Sequence, residues 1–330
     1  MIFKKTLIIG LGLIGGSFAK ALKKHKISGE IFACDLDSET LDFAQASGAI
    51  DAGFSDLAHL SDELTSFDFI VVASPLSTYE KIFAQLAKSK ALVMDLGSVK
   101  ELQLKNAPKN FIPCHPIAGS QNSGFEYADE NLFNGKKFII CAQNSEAKKV
   151  AQLVEKIGAE PEFLEATQHD EIYALMSHLP QFLSFLTKEF SPKTIKDPFF
   201  KTAYRLDDSD PTLWSDIFAM NEIRLEKFYL LLFDNLEKNI AQLNPSFDLV
   251  PNEKFDEKFF IDNFAAIFFR ALIAKSLLEI PQVKTFQSYG GSGFRDFTSI
   301  AACLNYDREK LQNLIKQNRN KITKFFNSIS

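Results

Sequence analysis

Three glycines that follow the first apolar stretch of the chain constrain its fold more than any other feature. The stretch Thr6–Ile9 leads directly into Gly10, Gly12 and Gly15, and apolar residues recur from Phe18 to Leu22. At this spacing Gly10 permits a tight turn, Gly12 lets the backbone approach a phosphate, and Gly15 lets the helix pack closely on the strand. The pattern predicts a strand that turns into a helix whose N-terminus binds a pyrophosphate; a glycine-rich turn without a ligand is the alternative.

An acidic residue follows the second predicted strand, where the ribose of a dinucleotide would lie. The stretch Glu30–Cys34 ends directly before Asp35. A carboxylate at this position accepts a hydrogen bond from the ribose 2′-hydroxyl and repels a 2′-phosphate. The sequence therefore favours NAD over NADP, and we expect the cofactor to contact Leu13 and Ile14 as well as Asp35 and the glycines.

Composition limits the class of protein. With 330 residues the chain is too long for one ordinary core, and its net charge of -5 gives no reason to expect nucleic acid or an anionic membrane as partner. The four cysteines have no metal-ligand or paired spacing, so we expect free buried thiols in a reducing compartment, and neither disulfides nor a metal site. They are Cys34, Cys114, Cys141 and Cys303.

Two segments resemble targeting or membrane sequences. Lys4 and Lys5 precede an apolar run as in a signal peptide, but the glycine spacing accounts for that run. The later apolar stretch Phe264–Ile280 contains three charged residues, including Arg270, which argues against a membrane span. We therefore expect a cytoplasmic protein.

The first half of the chain alternates short apolar stretches with amphipathic ones. This order predicts an α/β Rossmann-like domain over residues 1–166, with a doubly wound, mainly parallel sheet and a ligand crevice outside the carboxyl ends of its strands. The further predicted strands are Phe69–Ala73, Ala91–Met94, Phe111–Cys114 and Lys137–Cys141, and the predicted helices include Thr78–Ala87 and Ser145–Ile157.

The second half has few glycines and many phenylalanines, with apolar residues at three- and four-residue spacing. This predicts an all-α domain over residues 167–330, and its apolar helices favour a homodimer that shares this domain. The predicted helical segments are Asp170–Leu186, Leu213–Leu243 and Phe259–Leu278; Asn244–Pro251 is a predicted loop, and Arg308–Asn327 a predicted solvated helix.

Polar residues follow two of the predicted strands in the first half. Ser74 and Pro75 either turn the chain over the cofactor or simply begin a loop. Ser98 supplies a small donor and acceptor, or else a helix N-cap. Lys100 provides a cation for an anionic substrate, or else a surface charge.

A histidine is the strongest catalytic candidate. His115 follows the predicted strand Phe111–Cys114 and is held by Pro116. In a dehydrogenase, the alcohol being oxidised must release a proton as its hydride leaves. Imidazole, with an ordinary pKa of about 6.5, suits that task near neutrality. The sequence therefore predicts His115 as the general base.

The helical half offers polar residues on one predicted helix face, among them Ser177, His178 and Gln181. Arg205 could bind a carboxylate through two parallel hydrogen bonds, or could pair with Asp207 or Asp208. The glycine-rich stretch Gly290–Phe297 predicts a flexible loop that presents Arg295.

Taken together, these motifs resemble the prephenate and arogenate dehydrogenase family of tyrosine biosynthesis, and most closely its prephenate dehydrogenases. The resemblance covers about residues 5 to 225, and the order and spacing of the segments are more specific than any one of them. The matching segments are Gly10–Ser17, Asp95–Lys100, His115–Gly124, Asn131–Gly135, His169–Asp170, Ser177–Pro180 and Arg205 through Ser209–Pro211 to Trp214, with Gly290–Phe297 similar to a glycine-rich loop of the family.

The resemblance implies an NAD-dependent oxidation of prephenate. Hydride leaves C4 for NAD⁺, carbon dioxide departs, and the ring becomes aromatic as 4-hydroxyphenylpyruvate. His115 would take the proton of the C4 hydroxyl with Ser98 orienting it, while Lys100 and Arg205 would hold carboxylate. Ser177, His178, Gln181 and Trp214 would contact the substrate, Arg295 rivals Arg205, and Asp296 would reach across a dimer.

The chain departs from the family pattern at three places. Gln181 replaces the last histidine of the SHLPH motif, Gln121 stands where an acid is frequent, and Thr298–Ser299 stands where an arginine is usual. The alternatives are the same chemistry on arogenate, a hydroxy-acid dehydrogenase of similar fold, or an NAD-binding regulator without turnover.

Overall fold

The computed structural model describes residues 1–60, 63–120, 122–241, 256–305, 313–318 and 320–321. They form two compact units. The first unit comprises Met1–Asp170 and Thr212–Met220; the second comprises Glu171–Pro211 and the residues from Asn221 onward. The predicted loop Asn244–Pro251, Gln121 and most of the predicted helix Arg308–Asn327 lie outside the described residues. The domain limit between residues 166 and 167 stays a prediction.

The first unit is built on a six-stranded parallel sheet in the order β3-β2-β1-β4-β5-β6, with a second sheet in the order β7-β8-β9. In the second sheet β7 runs antiparallel to β8, and β8 runs parallel to β9. The strands are β1 (Phe3–Ile9), β2 (Ser28–Cys34), β3 (Ala52–Phe54), β4 (Phe69–Val72), β5 (Leu92–Asp95), β6 (Phe111–Ile112), β7 (Cys114–Pro116), β8 (Lys137–Ile140) and β9 (Glu160–Phe163).

Helices cover the sheet and make up the second unit. They are α1 (Leu13–Lys24), α2 (Ser38–Ala46), α3 (Tyr79–Leu86), α4 (Ser145–Lys156), α5 (Ala166–Tyr173), α6 (Leu179–Thr187), α7 (Pro198–Ala203), α8 (Pro211–Met220), α9 (Glu222–Ala241), α10 (Glu257–Asp262), α11 (Phe264–Leu278), α12 (Pro281–Phe286) and α13 (Ser292–Ser299). A π-helical turn, Ala174–His178, links α5 to α6. Within the described ranges, no helix has the length and apolar character needed to cross a membrane.

Successive residues of β1 explain why the sheet is covered on both faces. Ile8 packs in one core cluster with Phe18 of α1, while Leu7 and Ile9 pack in another with Phe83 of α3. Side chains alternate along a strand, so both faces of the sheet are buried, as in a doubly wound fold. The predicted α/β Rossmann-like domain and the helical second domain are confirmed.

Several predicted elements differ from the structure. The stretch Phe111–Cys114 is not one strand, because Pro113 has no N–H to donate and separates β6 from β7. Gly290–Phe297 is not a flexible loop: α13 begins at Ser292 and buries Phe294 and Phe297 on one face.

Over its described residues, the predicted segment Leu213–Leu243 forms two helices. Asn221 separates α8, which belongs to the first unit, from α9, which belongs to the second. The segment Phe259–Leu278 is likewise divided at Asn263. Strands β3 and β9 were not predicted, because β3 has three residues and β9 alternates charged residues with Pro161 and Phe163.

Candidate active site

The glycine turn after β1 packs against the end of β4. Gly10 has a φ of +96°, a conformation that glycine adopts without steric cost, and a Cβ there would lie 2.7 Å from the Ala73 carbonyl oxygen. A Cβ at Gly15 would lie 2.0 Å from the carbonyl oxygen of Gly10. The shape of the turn therefore requires both glycines.

Gly12 serves a different purpose, because a Cβ there would meet no described atom within 4 Å. It precedes α1 in an extended conformation, and no side chain of the described residues caps this helix. The backbone N–H groups of the first turn, which includes Leu13 and Ile14, lack partners within the helix. A pyrophosphate fits here, since it would accept from these donors at the positive end of the helix dipole.

Asp35 connects the end of β2 to the glycine turn. Its Oδ2 accepts from the backbone N–H of Leu11 at 2.7 Å and its Oδ1 from that of Asp37 at 3.0 Å. An ionised carboxylate offers about four acceptor positions. Asp35 is half-buried, so it can hold the turn and still accept from a ribose hydroxyl.

Ser74 and Pro75 begin the turn after β4. Ser74 Oγ shares a hydrogen bond with Thr78 Oγ1 at 2.8 Å, and Thr78 Oγ1 also lies 2.7 Å from the Pro75 carbonyl oxygen, to which it can donate. Because Ala73 adjoins Gly10, this turn lies beside the glycine turn. Its contact with the cofactor stays a prediction.

Ser98 is half-buried in the loop after β5. It does not begin a helix, because the next helical turn spans Leu102–Asn106. The alternative of an N-cap at Ser98 is therefore wrong, and its catalytic role stays a prediction.

The structure corrects the role of Lys100. Its side chain is completely buried, and its Nζ donates to the Asp95 carboxylate and, at 2.6 Å, to the Cys114 carbonyl oxygen. An ammonium without exposed surface cannot contact a substrate, nor is it a surface charge. Burial raises the pKa of Asp95, while Lys100 and hydrogen bonds from Cys114 and Gly97 oppose that rise.

His115 lies inside β7, opposite Ile139 of β8, and is half-buried. The expectation that it follows a strand of the main sheet is wrong, because the ladder of the main sheet ends at Ile112, before Pro113. His115 Nδ1 lies 2.9 Å from Nε2 of His169, and His169 Nδ1 lies 2.8 Å from Oδ1 of Asp170. The three side chains form one hydrogen-bonded chain within the first unit.

The partners of Asp170 fix where the protons of this chain lie. Its two oxygens accept from the backbone N–H groups of Lys100 and Glu101, each at 2.8 Å, so it is an acceptor to which His169 Nδ1 donates. Neutral His169 then has its lone pair on Nε2, and His115 Nδ1 donates to it. The remaining nitrogen of His115, Nε2, carries a lone pair and can accept a proton.

Sequence reasoning gave no role to His169 or Asp170. Both are buried, with exposures of 0% and 1%, and His169 stands 54 positions from His115. The adjacent His-Asp pair was the available signal, since a carboxylate commonly orients an imidazole.

In the second unit, the π-helical turn interrupts the regular spacing predicted for Ser177, His178 and Gln181. Arg224 donates to Asn221 Oδ1 at 3.5 Å, which turns the Asn221 amide nitrogen toward His178 Nδ1 at 3.1 Å. His178 Nδ1 therefore accepts, and the proton of the neutral ring lies on Nε2. Ser177 is half-buried and His178 is buried.

Gln181 bonds the protein at both ends of its amide. Its Nε2 donates to the Leu206 carbonyl oxygen at 2.8 Å, and its Oε1 accepts from Ser209 at 3.1 Å. The side chain is 1% exposed. The structure therefore corrects the predicted substrate contact: Gln181 holds the turn that carries Arg205.

Arg205 pairs with Asp296 of the same chain, at 2.9 Å from Nε and 2.5 Å from Nη2. The alternative partners are wrong, because Asp207 is bound by buried Arg270 at 2.6 Å and Arg205 faces α13 instead of Asp208. Asp296, expected to reach across a dimer, is held within its own chain. Arg295 is exposed, and its Nη1 donates to the Gly290 carbonyl oxygen at 2.7 Å.

Trp214 lies in α8 and belongs to the first unit. Its half-buried ring packs beside Phe218, with centroids 5.7 Å apart, and against the core that contains Ile217. The structure thus groups Trp214 with His115, and groups Arg205 with His178 in the second unit.

Comparisons with known proteins find prephenate dehydrogenase domains in both halves of the chain. "Prephenate dehydrogenase, nucleotide-binding domain" matches residues 18–162, and "Prephenate dehydrogenase, dimerization domain" matches residues 165–260. A prephenate dehydrogenase of Lactococcus lactis is 31% identical over 261 residues, which are 73% of this chain and 70% of that protein.

Two solved structures extend the likeness to the fold. A prephenate dehydrogenase of A. aeolicus, in complex with hydroxyphenyl propionate and NAD⁺, has a TM-score of 0.65 and 31% identity, covering 73% of this chain and 91% of that one. An arogenate dehydrogenase of Synechocystis has a TM-score of 0.57 and 25% identity, covering 72% and 92%. The chain belongs to the prephenate dehydrogenase family, a family of NAD-dependent oxidoreductases.

Proposed function

We propose that this chain catalyses the NAD-dependent oxidative decarboxylation of prephenate to 4-hydroxyphenylpyruvate, with His115 as general base. The observation that carries the assignment of the base is the hydrogen-bonded chain from Asp170 through His169 to His115. These hydrogen bonds leave His115 Nε2 as a proton acceptor. Asp170 also supplies a negative charge that stabilises the imidazolium formed when the proton arrives.

The residues of the protein would mainly position the substrate and move one proton. The glycine turn and Asp35 would hold NAD⁺, which would supply the acceptor for the hydride of C4. His115 takes the proton of the C4 hydroxyl and returns it to the oxygen of the phenol, so no net proton is released. The electrons of the broken carbon–carboxylate bond enter the ring, and aromatisation drives the step. Ser98 orients the hydroxyl.

Arg205 would hold a carboxylate of the substrate. A guanidinium donates two parallel hydrogen bonds, and Arg205 is 28% exposed beside Asp296. We expect Arg205→Ala to raise KM for prephenate about 30- to 1000-fold, as for a desolvated charge pair worth 2–4 kcal/mol. Arg295→Ala is the matched control. A rise confined to the Arg295 variant would transfer the role to that residue.

The family membership also supports an assembly. The matched dimerization domain favours a homodimer formed through the helical half. Four free, buried cysteines agree with action in the reducing cytoplasm. We place the limit between the two domains at residues 166 and 167.

The test is NADH absorbance with purified protein. Prephenate and NAD⁺ should give turnover, whereas NADP⁺ should give little, because Asp35 repels a 2′-phosphate. Arogenate is the second substrate to assay, since a relative of similar fold is an arogenate dehydrogenase. Absence of turnover with both dienols would leave an NAD-binding protein without this activity.

A further inference from the structure

Strand β7, which carries His115, has two different edges. One edge pairs with β8, where His115 lies opposite Ile139. On the other edge, the backbone groups of Cys114 meet two charged side chains. The Cys114 N–H donates to Asp95 Oδ1 at 2.8 Å, and the Cys114 carbonyl oxygen accepts from Lys100 Nζ at 2.6 Å. An ion pair thus occupies the place of a neighbouring strand.

This ion pair is completely buried, and both of its members form further hydrogen bonds with their surroundings. Asp95 and Lys100 have 0% exposure, and Asp95 Oδ2 also accepts from the Gly97 N–H at 3.1 Å and the Tyr79 hydroxyl at 3.2 Å. Replacing a buried ion pair by apolar residues is frequently neutral or stabilising. Stability alone therefore does not account for these charges, whereas their fixed geometry can position a backbone.

The loop that carries Lys100 also holds Asp170, which is the end of the hydrogen-bonded chain opposite to His115. The backbone N–H groups of Lys100 and Glu101 donate to the two oxygens of Asp170, each at 2.8 Å. Asp170 in turn accepts from His169. The loop that follows β5 therefore fixes His115 through Cys114 and fixes His169 through Asp170.

We propose that Asp95 and Lys100 are positioning residues that hold His115 at hydrogen-bond distance from His169 by clamping the backbone of Cys114. The proposal rests on the proposed function for its kinetic consequence. They contact no reacting atom; they set the orientation of the imidazole that accepts the proton.

The principal test replaces the pair by a neutral one of similar size, Asp95→Asn with Lys100→Met. The double variant loses the donor to the Cys114 carbonyl, so we expect kcat to fall about 100-fold, the loss expected of a misplacement near 1 Å. The Kd for NAD⁺ should stay within twofold. In ¹⁵N–¹H NMR of the imidazole groups, the protected Nδ1 proton of His115 should disappear.

The matched control is the double variant Lys137→Met with Glu162→Gln. That pair, 2.5 Å apart, joins β8 to β9 in the same sheet. We expect kcat within twofold of wild type and an intact His115 proton signal. A folded Asp95→Asn/Lys100→Met protein with wild-type kcat and an unchanged signal would overturn the proposal, as would equal losses in the control.

Two further measurements test whether Asp95 and Lys100 position His115 if the double variant does not fold. Asp95→Asn alone keeps the bond from Lys100 to Cys114, and we expect about tenfold lower kcat with a shifted His115 proton signal; no change in either contradicts the proposal. In the wild type, the Cys114 amide should exchange with deuterium as slowly as amides inside β8. Exchange at the rate of an open strand edge refutes the clamp.

The NMR and exchange measurements need no substrate. If wild-type protein fails to oxidise prephenate, the proposed function fails, and the His115 signal still decides whether Asp95 and Lys100 position the ring.

Discussion

Asp170 offers the sharpest test of the histidine chain, because Asp170→Asn removes the charge while an oxygen can remain where His169 donates. Oδ1 accepts from two donors, His169 Nδ1 and the Lys100 N–H, whereas Oδ2 accepts from the Glu101 N–H. The side-chain amide of the variant will therefore place its oxygen at the position that Oδ1 has in the wild type. The protons of His169 and His115 then stay where they are. The variant loses the negative charge and also the hydrogen bond from the Glu101 N–H, because its amide nitrogen takes the place of Oδ2 and cannot accept.

The size of the effect follows from the geometry. Two hydrogen bonds of 2.8 and 2.9 Å and one imidazole ring separate Asp170 from His115 Nδ1. That places the charge roughly 7 Å away, where at an effective dielectric constant of about 20 it stabilises an imidazolium by about 2 kcal/mol. We expect kcat to fall about 30-fold, since about 1.4 kcal/mol corresponds to a factor of ten.

The assay is NADH formation from prephenate across pH 5 to 9. Removing a nearby negative charge disfavours the protonated base, so the acidic limb of kcat/KM should move to lower pH by about 1.5 units. Asp68→Asn is the matched control, because Asp68 also accepts from two backbone N–H groups, at 2.7 and 3.0 Å. An unshifted acidic limb with wild-type kcat would refute the role of Asp170.

Two further predictions concern stability. Arg270→Met leaves Asp207 as a buried carboxylate without its partner at 2.6 Å, and we expect the free energy of unfolding in urea to fall by about 3–5 kcal/mol; Lys258→Met, on an exposed pair, is the control, and an equal fall in both contradicts this. Burial raises the pKa of Cys141 from 9.0 to about 12, so the folded state keeps a proton that the unfolded state loses above pH 9. The free energy of unfolding should fall by up to about 1.4 kcal/mol per pH unit from this thiol as pH rises above 9, and rapid reaction of Cys141 with thiol reagents at pH 8 in native protein would contradict the account.

The glycine turn was predictable from sequence because its requirements are local. Gly10 needs a positive φ, and Gly15 needs the absence of a Cβ against the turn itself. Both conditions depend on residues within a few positions of one another or on the neighbouring strand. Spacing alone carries such information.

The histidine chain depends on contacts between distant residues. His115 and His169 are 54 positions apart, and nothing in either segment indicates that the two rings meet. The sequence also predicts the wrong element for His115, which it places directly after a strand of the main sheet. Pro113 ends the main sheet, and His115 lies in β7 of the second sheet.

Charged residues were the least predictable. Lys100 looks like a ligand for an anion, yet it is buried against Asp95. Arg205 was expected to pair locally or with substrate, and it pairs with Asp296, 91 positions away. The sign of a charge is visible in sequence, whereas its partner is set by the packing of the whole unit.

The central claim is that His115 accepts the proton of the substrate hydroxyl, and His115→Asn tests it most directly. The measurement is kcat by NADH absorbance together with the Kd for NAD⁺. The account predicts a 10²- to 10⁴-fold loss of kcat, the usual contribution of a general base, with the Kd unchanged. Turnover at the wild-type rate in the folded variant would contradict it.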